Sequence, residues 1–205
     1  MCDKMDDMTF AVQGALFGHT DRRPLSAGAW IDVRSGWLSD GDRLFDELAA
    51  CTQWRAERRP MYDRVVDVPR LVSFHDLSSE PAPHPRMAEL RDRLNDTYSD
   101  ELGEPFTTAG LCLYRDGSDS VAWHGDKIGR GSTEDTMVAI VSLGATRVFA
   151  LRPRGGGTSL RFPQTHGDLL VMGGSCQRTW EHAVPKTTKA CAPRISIQFR
   201  PCNVR

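Results

Sequence analysis

The feature that most constrains the fold is the pattern after residue 105. Eight short β-rich runs, at 110–114, 120–124, 136–143, 147–151, 159–162, 168–172, 179–184 and 194–199, follow one another within about 95 residues, separated by Gly, Asp and Pro turns. Strands this short, at this spacing, can bury their apolar sides only by facing one another, so this half of the chain reads as a β-sandwich or barrel. Gly155, Gly156 and Gly157 lie between two of the runs and suit a hairpin tip. A phosphate-cradling loop would need a following helix and usually a lysine, which are not evident.

The first half reads differently. Ser39, Asp40 and Asp42 offer capping side chains ahead of Leu44, Phe45, Leu48 and Ala49, so a helix is expected to about Cys51. A polar, Arg-rich connection follows, then a strand over 64–74 that Pro69 places at an edge or bends. Residues 87–98 carry Leu90, Leu94 and Tyr98 at four-residue steps, an amphipathic helix for which Pro85 is a suitable first residue. Residues 1–38 read as a loosely ordered lead-in with one or two short strands, such as 29–33. The expected class is mainly β with flanking helices.

A chain of 205 residues suits one domain, and 40% hydrophobic with 26% charged residues excludes the disordered and fibrous classes. No apolar run approaches the roughly 18 residues of a membrane span, and the six cysteines show no tight pairing, so the expectation is a cytoplasmic protein with reduced thiols. A net charge of −1 argues against coating nucleic acid by bulk electrostatics. Two arginine clusters, Arg55 with Arg58 and Arg59, and Arg147 with Arg152, Arg154 and Arg161, could form local basic patches. Solvated surface is the simpler reading of both.

His124 and Asp126 stand two residues apart at the end of an expected strand, where alternate side chains share a face and can converge on one ion. With six histidines in the chain such a pair is weak evidence alone. His182, inside a later strand, is the best third ligand, and two histidines with one carboxylate on a β scaffold match the facial triad that leaves positions open on non-haem Fe(II). The run from Arg194 to Arg200 alternates, placing Arg194, Ser196, Gln198 and Arg200 on one face and Ile195, Ile197 and Phe199 on the other. A strand that turns two guanidinium forks to one side can receive a dicarboxylate; taken alone, a half-exposed edge strand with solvated arginines is the simpler reading. Trp123 and Trp180, close to two of the ligands, read as barrel packing.

These pieces together resemble the AlkB family of Fe(II)- and 2-oxoglutarate-dependent dioxygenases, over residues 68–201. The resemblance is carried by Pro69-Arg70-Leu71, Tyr114-Arg115-Asp116-Gly117, His124-Gly125-Asp126, the run from Gly167 to Gly173, the run from Gln177 to Pro185, and the run from Pro193 to Arg200. It implies a double-stranded β-helix, or jelly roll, with an N-terminal lead-in (1–38), helices and a substrate lid (about 39–105) and a jelly-roll core (about 106–201). It implies His124, Asp126 and His182 as catalytic iron ligands. Arg194 would pair with the distal carboxylate of 2-oxoglutarate, Arg200 would lie near its chelating end, and Tyr114 and Ser196 would also contact it. Arg70 resembles a residue lining the base pocket, and Met61-Tyr62 a position where some duplex-acting relatives insert a wedge. The implied activity is oxidative demethylation of N-alkylated nucleobases in DNA, or RNA, by a monomer that uses Fe(II), O2 and 2-oxoglutarate. The alternatives are a 2-oxoglutarate-dependent hydroxylase of a protein or small molecule, and a non-catalytic metal-binding β-sandwich. The chain departs from the family pattern at Cys112, where Asn is frequent, at Ser196 between the two arginines, and at Ile128, where DNA-repairing relatives often carry an acid; either Glu134 or Asp135 substitutes for that acid or the base preference differs.

Overall fold

The structure is a computed structural model that describes residues 20–61, 64–126 and 128–204. The described strands are β1 (Thr20–Pro24), β2 (Ala29–Arg34), β3 (Arg55–Met61), β4 (Arg64–Asp76), β5 (Phe106–Tyr114), β6 (Val121–His124), β7 (Val138–Gly144), β8 (Arg147–Pro153), β9 (Leu160–Gln164), β10 (Leu169–Gly174), β11 (Trp180–Val184) and β12 (Arg194–Pro201). The helices are α1 (Gly41–Cys51), α2 (Pro85–Leu102) and the single turn α3 (Cys176–Thr179). An eight-stranded antiparallel sheet in the order β1-β2-β10-β7-β12-β5-β4-β3 faces a four-stranded sheet, β6-β11-β8-β9. This is a jelly roll.

Strand alternation sorts the core into two layers. Leu111, Val141, Leu143, Leu169, Val171, Ile195, Ile197 and Phe199 point outward from the large sheet and bury Leu44 and Leu48 of α1 and Met87, Leu90, Leu94 and Tyr98 of α2. Cys112, Tyr114, Val138, Ile140, Leu170 and Met172 point inward, against Phe149, Leu151, Phe162, Trp180 and Val184 of the small sheet and its surroundings. The inner layer is where polar groups also gather, so the site lies between the sheets.

Local chemistry explains the helix ends. Pro85 opens α2 while the His84 ring accepts from the Arg86 N–H at 3.1 Å, and Gly103 closes the helix at φ 62. Asp40 precedes α1 but makes no side-chain cap. Both of its carboxylate oxygens instead accept from Arg86 Nη2 at 2.9 Å, which ties the starts of the two helices together.

One expectation for the first half needs correcting. The Arg-rich stretch after Cys51 is not a connection but β3, antiparallel to β4 at the border of the large sheet, where charged side chains suit a strand open on one side. The bend expected at Pro69 takes the form of a bulge: the register jumps between Ala56 opposite Leu71 and Arg58 opposite Asp67, and β5 pairing begins only at Leu71, so the proline's missing N–H falls where the ladder is interrupted. The lead-in contributes β1 and β2 to the large sheet from residue 20 onward, with β2 paired to β10. Among the described residues no helix is long and apolar enough to cross a membrane.

Candidate metal and co-substrate site

His124 ends β6 and His182 sits in β11 directly across from it, so strand pairing brings the two imidazoles to one face with ring centroids 4.2 Å apart. Asp126 follows on the loop leaving β6. One donor atom from each of the three lies within 4.8 Å of the others. Gly125 makes this possible, because a Cβ there would sit 2.6 Å from the Gln177 carbonyl oxygen and 2.9 Å from the Arg154 guanidinium. The backbone between the ligands passes too close to α3 for any side chain.

Two of the three have their spare atoms assigned. The Nδ1–H of His124 donates to the Ala122 carbonyl at 2.9 Å, which leaves Nε2 as a lone-pair donor. Asp126 Oδ2 accepts from Arg200 Nε at 2.6 Å and Oδ1 stays on the side of His124 Nε2, 3.8 Å away, while the Asp126 backbone N–H donates to Gln177 Oε1 at 3.0 Å. Burial alone would push the Asp126 carboxyl up, but the Arg200 guanidinium and the two imidazoles hold it down to about 2. Burial, then the neighbouring His124, pushes His182 down to about 3, and burial lowers His124 as well. A carboxylate and two neutral imidazoles at neutral pH are the protonation states a divalent cation needs.

Beside this cluster lies a second, cationic feature. Arg194 is 1% exposed and stacks over Tyr114 at 5.2 Å. Its Nη2 donates to Ser142 Oγ at 2.8 Å, yet among the described residues Nε and Nη1 have no hydrogen-bond partner. A buried guanidinium with two idle donors is costly unless an anion completes it. Burial correspondingly lowers its pKa, and burial raises that of Tyr114. The donor set and the unpaired arginine therefore fit Fe(II) with a dicarboxylate.

Other residues singled out in the sequence are placed as follows. Ser196, 3% exposed, lies between Arg194 and Arg200 on their face of β12. Arg70 Nη1 donates to the Ser120 carbonyl at 3.2 Å, its buried Nε has no partner among the described residues, and its charge acts on both His124 and Tyr114, so it borders the site. Met61 ends β3; its side chain and the whole of Tyr62 fall outside the described residues. Ile128 is 71% exposed. Glu134 and Asp135 are engaged by Arg130 and Arg178 respectively. Trp180 packs in the inner core as expected, whereas Trp123 lies under the Arg152 guanidinium, 4.2 Å from its ring centre.

Three arginines of the second cluster are not solvated surface: Arg147 is 3% exposed, and Arg152 and Arg154 both pair with Glu181, whereas Arg161 is exposed as expected. Gln177, Ser142 and Gln198 were not given roles from the sequence. Gln177 stood within a quoted motif, but only the fold reveals that its amide faces Asp126.

Fold and cluster together define a class: a jelly-roll protein with two histidines and one carboxylate converging beside a buried cationic pocket. A family model described as the 2OG-Fe(II) oxygenase superfamily matches residues 43–200. Bovine alpha-ketoglutarate-dependent dioxygenase alkB homolog 3 is 30% identical over 80% of this chain and 62% of its own. Human DNA oxidative demethylase ALKBH2 is 32% identical over 85% of this chain and 78% of its own. The solved structure of OsALKBH1 superposes with a TM-score of 0.60 at 15% identity, covering 87% of this chain and 100% of that one, a likeness of fold. The chain belongs to the 2OG-Fe(II) oxygenase superfamily, and within it to the AlkB family. It spans less than two thirds of the length of the alkB homolog 3 relatives.

Proposed function

We propose that the protein is an Fe(II)- and 2-oxoglutarate-dependent dioxygenase that oxidatively demethylates N-alkylated bases in DNA, with RNA as a second nucleic acid substrate class. The observation that carries the reading is the half-unpaired, buried guanidinium of Arg194 beside the His124, Asp126 and His182 cluster. Nucleobases as the substrate class are supported by the likeness to the human DNA oxidative demethylase.

In this reading His124, Asp126 and His182 hold the iron, and Arg194 takes the distal carboxylate of 2-oxoglutarate through its idle donors. Tyr114 flanks that carboxylate and Arg200 keeps Asp126 turned so that one oxygen faces the metal. When bound, Fe(II) with O2 and 2-oxoglutarate supplies the oxidation of an N-methyl to an N-hydroxymethyl group, with release of succinate and CO2; formaldehyde is then lost and the unmodified base remains. The protein excludes water from Arg194, keeps both imidazoles unprotonated and presents the alkylated base at the side of Arg70, with Met61 and Tyr62 as the residues that take the place of a flipped base. Residues of about 39–105 serve as helices and substrate lid, and the protein works as a cytoplasmic monomer.

Mass spectrometry of methylated single- and double-stranded DNA and RNA oligonucleotides, incubated with protein, Fe(II) and 2-oxoglutarate, tests the reading. Loss of 14 mass units per methyl group, about the difference between CH3 and H, is expected only with both additions. Unchanged oligonucleotides alongside oxidation of a protein or small molecule would move the substrate elsewhere and keep the iron chemistry.

A further inference from the structure

Gln198 shares the inward face of β12 with Arg194, Ser196 and Arg200, and its register partner on β5 is Gly110, which has no side chain to fill the space opposite. A Cβ at Gly110 would come within 3.2 Å of both Gln198 Oε1 and Arg200 Nη1. The amide uses that room to lie back along the strand. Its Nε2 donates to Ser196 Oγ at 2.7 Å and to the Ser196 carbonyl at 3.1 Å, and its Oε1 faces the Cys112 thiol at 3.7 Å. Cys112 and Ser196 are themselves direct cross-strand partners. One glutamine thus bridges two of the three positions at which the sequence departs from its family's pattern, Cys112 and Ser196.

The consequence concerns the Ser196 hydroxyl. Because its oxygen already accepts from Gln198, its hydrogen is the group left to offer, and among the described residues it has no acceptor. Ser196 is 3% exposed and stands on the strand between the two arginines. We propose that Gln198 is a positioning residue for 2-oxoglutarate: it holds the Ser196 hydroxyl as a donor aimed at the co-substrate and does, from β12, what an amide at position 112 would do from β5. The inference rests on the co-substrate site proposed above.

The test is calorimetric titration of 2-oxoglutarate into the full chain loaded with Mn(II), which binds without turnover, together with steady-state kinetics of the Fe(II) enzyme. Gln198→Ala should weaken 2-oxoglutarate binding about tenfold and raise its KM equally, with kcat at saturation changed less than about twofold, as for loss of one donor to a charged group. Cys112→Asn in the Gln198→Ala background places an amide directly across from Ser196 and should recover most of the affinity. Arg194→Met is the control for the site itself. If Arg194→Met weakens binding while Gln198→Ala does not, or if Cys112→Asn fails to rescue a Gln198→Ala protein that melts like the parent, Gln198 only packs and the inference falls. If Arg194→Met binds normally, the co-substrate site is wrongly placed and the inference falls with it.

Discussion

Two buried arginines stack over the same tyrosine and lead opposite lives. Arg147, 5.6 Å from the Tyr114 ring, spends its guanidinium on three backbone carbonyls: Asp116 and Asp119 at 2.8 Å and Pro185 at 2.9 Å. It fastens the loop before β6 to the chain leaving β11, the two strands that carry the histidines. Arg194, 5.2 Å from the same ring, makes one side-chain bond and leaves two donors idle. Equal burial therefore does not mean equal purpose: a satisfied guanidinium is part of the scaffold, and an unsatisfied one marks where a ligand's charge belongs.

Exchanging the ligands themselves should do most harm. His182→Ala should lower demethylation at least about a hundredfold and abolish tight Fe(II) binding, since even partners one step removed from a metal commonly cost 10- to 100-fold; formaldehyde release and metal content after desalting report both. The two arginines separate next. Arg147→Met should cost about 3 kcal/mol of stability in denaturant unfolding of the metal-free protein, because three buried carbonyls lose their donor. Arg194→Met should leave that stability unchanged or raise it, while the 2-oxoglutarate concentration needed for half-maximal rate rises by about a hundredfold. Equal destabilisation by both would erase the distinction between them.

Arg200→Gln tests the link between the co-substrate strand and the metal ligand. Asp126 would lose the charge that orients Oδ2, and Fe(II) affinity should fall by about tenfold, with 2-oxoglutarate affinity measured separately on the Mn(II) form. The smallest effect concerns acid stability of the metal-free protein. His182 is depressed from its ordinary 6.5 to about 3, so its contribution is present above pH 6.5 and is lost as pH falls through that window, when the unfolded chain takes up a proton that the folded one refuses. Asp126, held at about 2 instead of 3.8, loses its own contribution lower down. His182→Ala should flatten the upper part of the acid-unfolding profile and leave the lower part.

The parts of this arrangement that strand alternation controls were legible before any coordinates. His124, Asp126 and the face of Arg194, Ser196, Gln198 and Arg200 follow from period-two reading, and His182 stood out as a histidine inside a later strand that could return to the pair. The helices were legible from their own period, as their apolar stripes at Leu44 and Leu48, and at Leu90 and Leu94, have one place to go. What sequence concealed were pairings between distant segments. The arginines of β3 looked like a solvated connection because an edge strand needs no apolar alternation on its open side. Arg147 looked like surface because its three acceptors are backbone carbonyls, which have no letter in a sequence. Gln198 looked like any polar residue of the strand until Gly110 and Cys112 were seen opposite it.

The central claim is that the idle donors of Arg194 complete a site for 2-oxoglutarate next to an iron held by His124, Asp126 and His182. Anaerobic Fe(II)-loaded protein, titrated with 2-oxoglutarate, should develop a visible charge-transfer absorption band that requires both additions. In Arg194→Met the same band should appear only at about a hundredfold higher 2-oxoglutarate. Absence of any band dependent on both, or saturation of wild type and Arg194→Met at the same concentration, would contradict it.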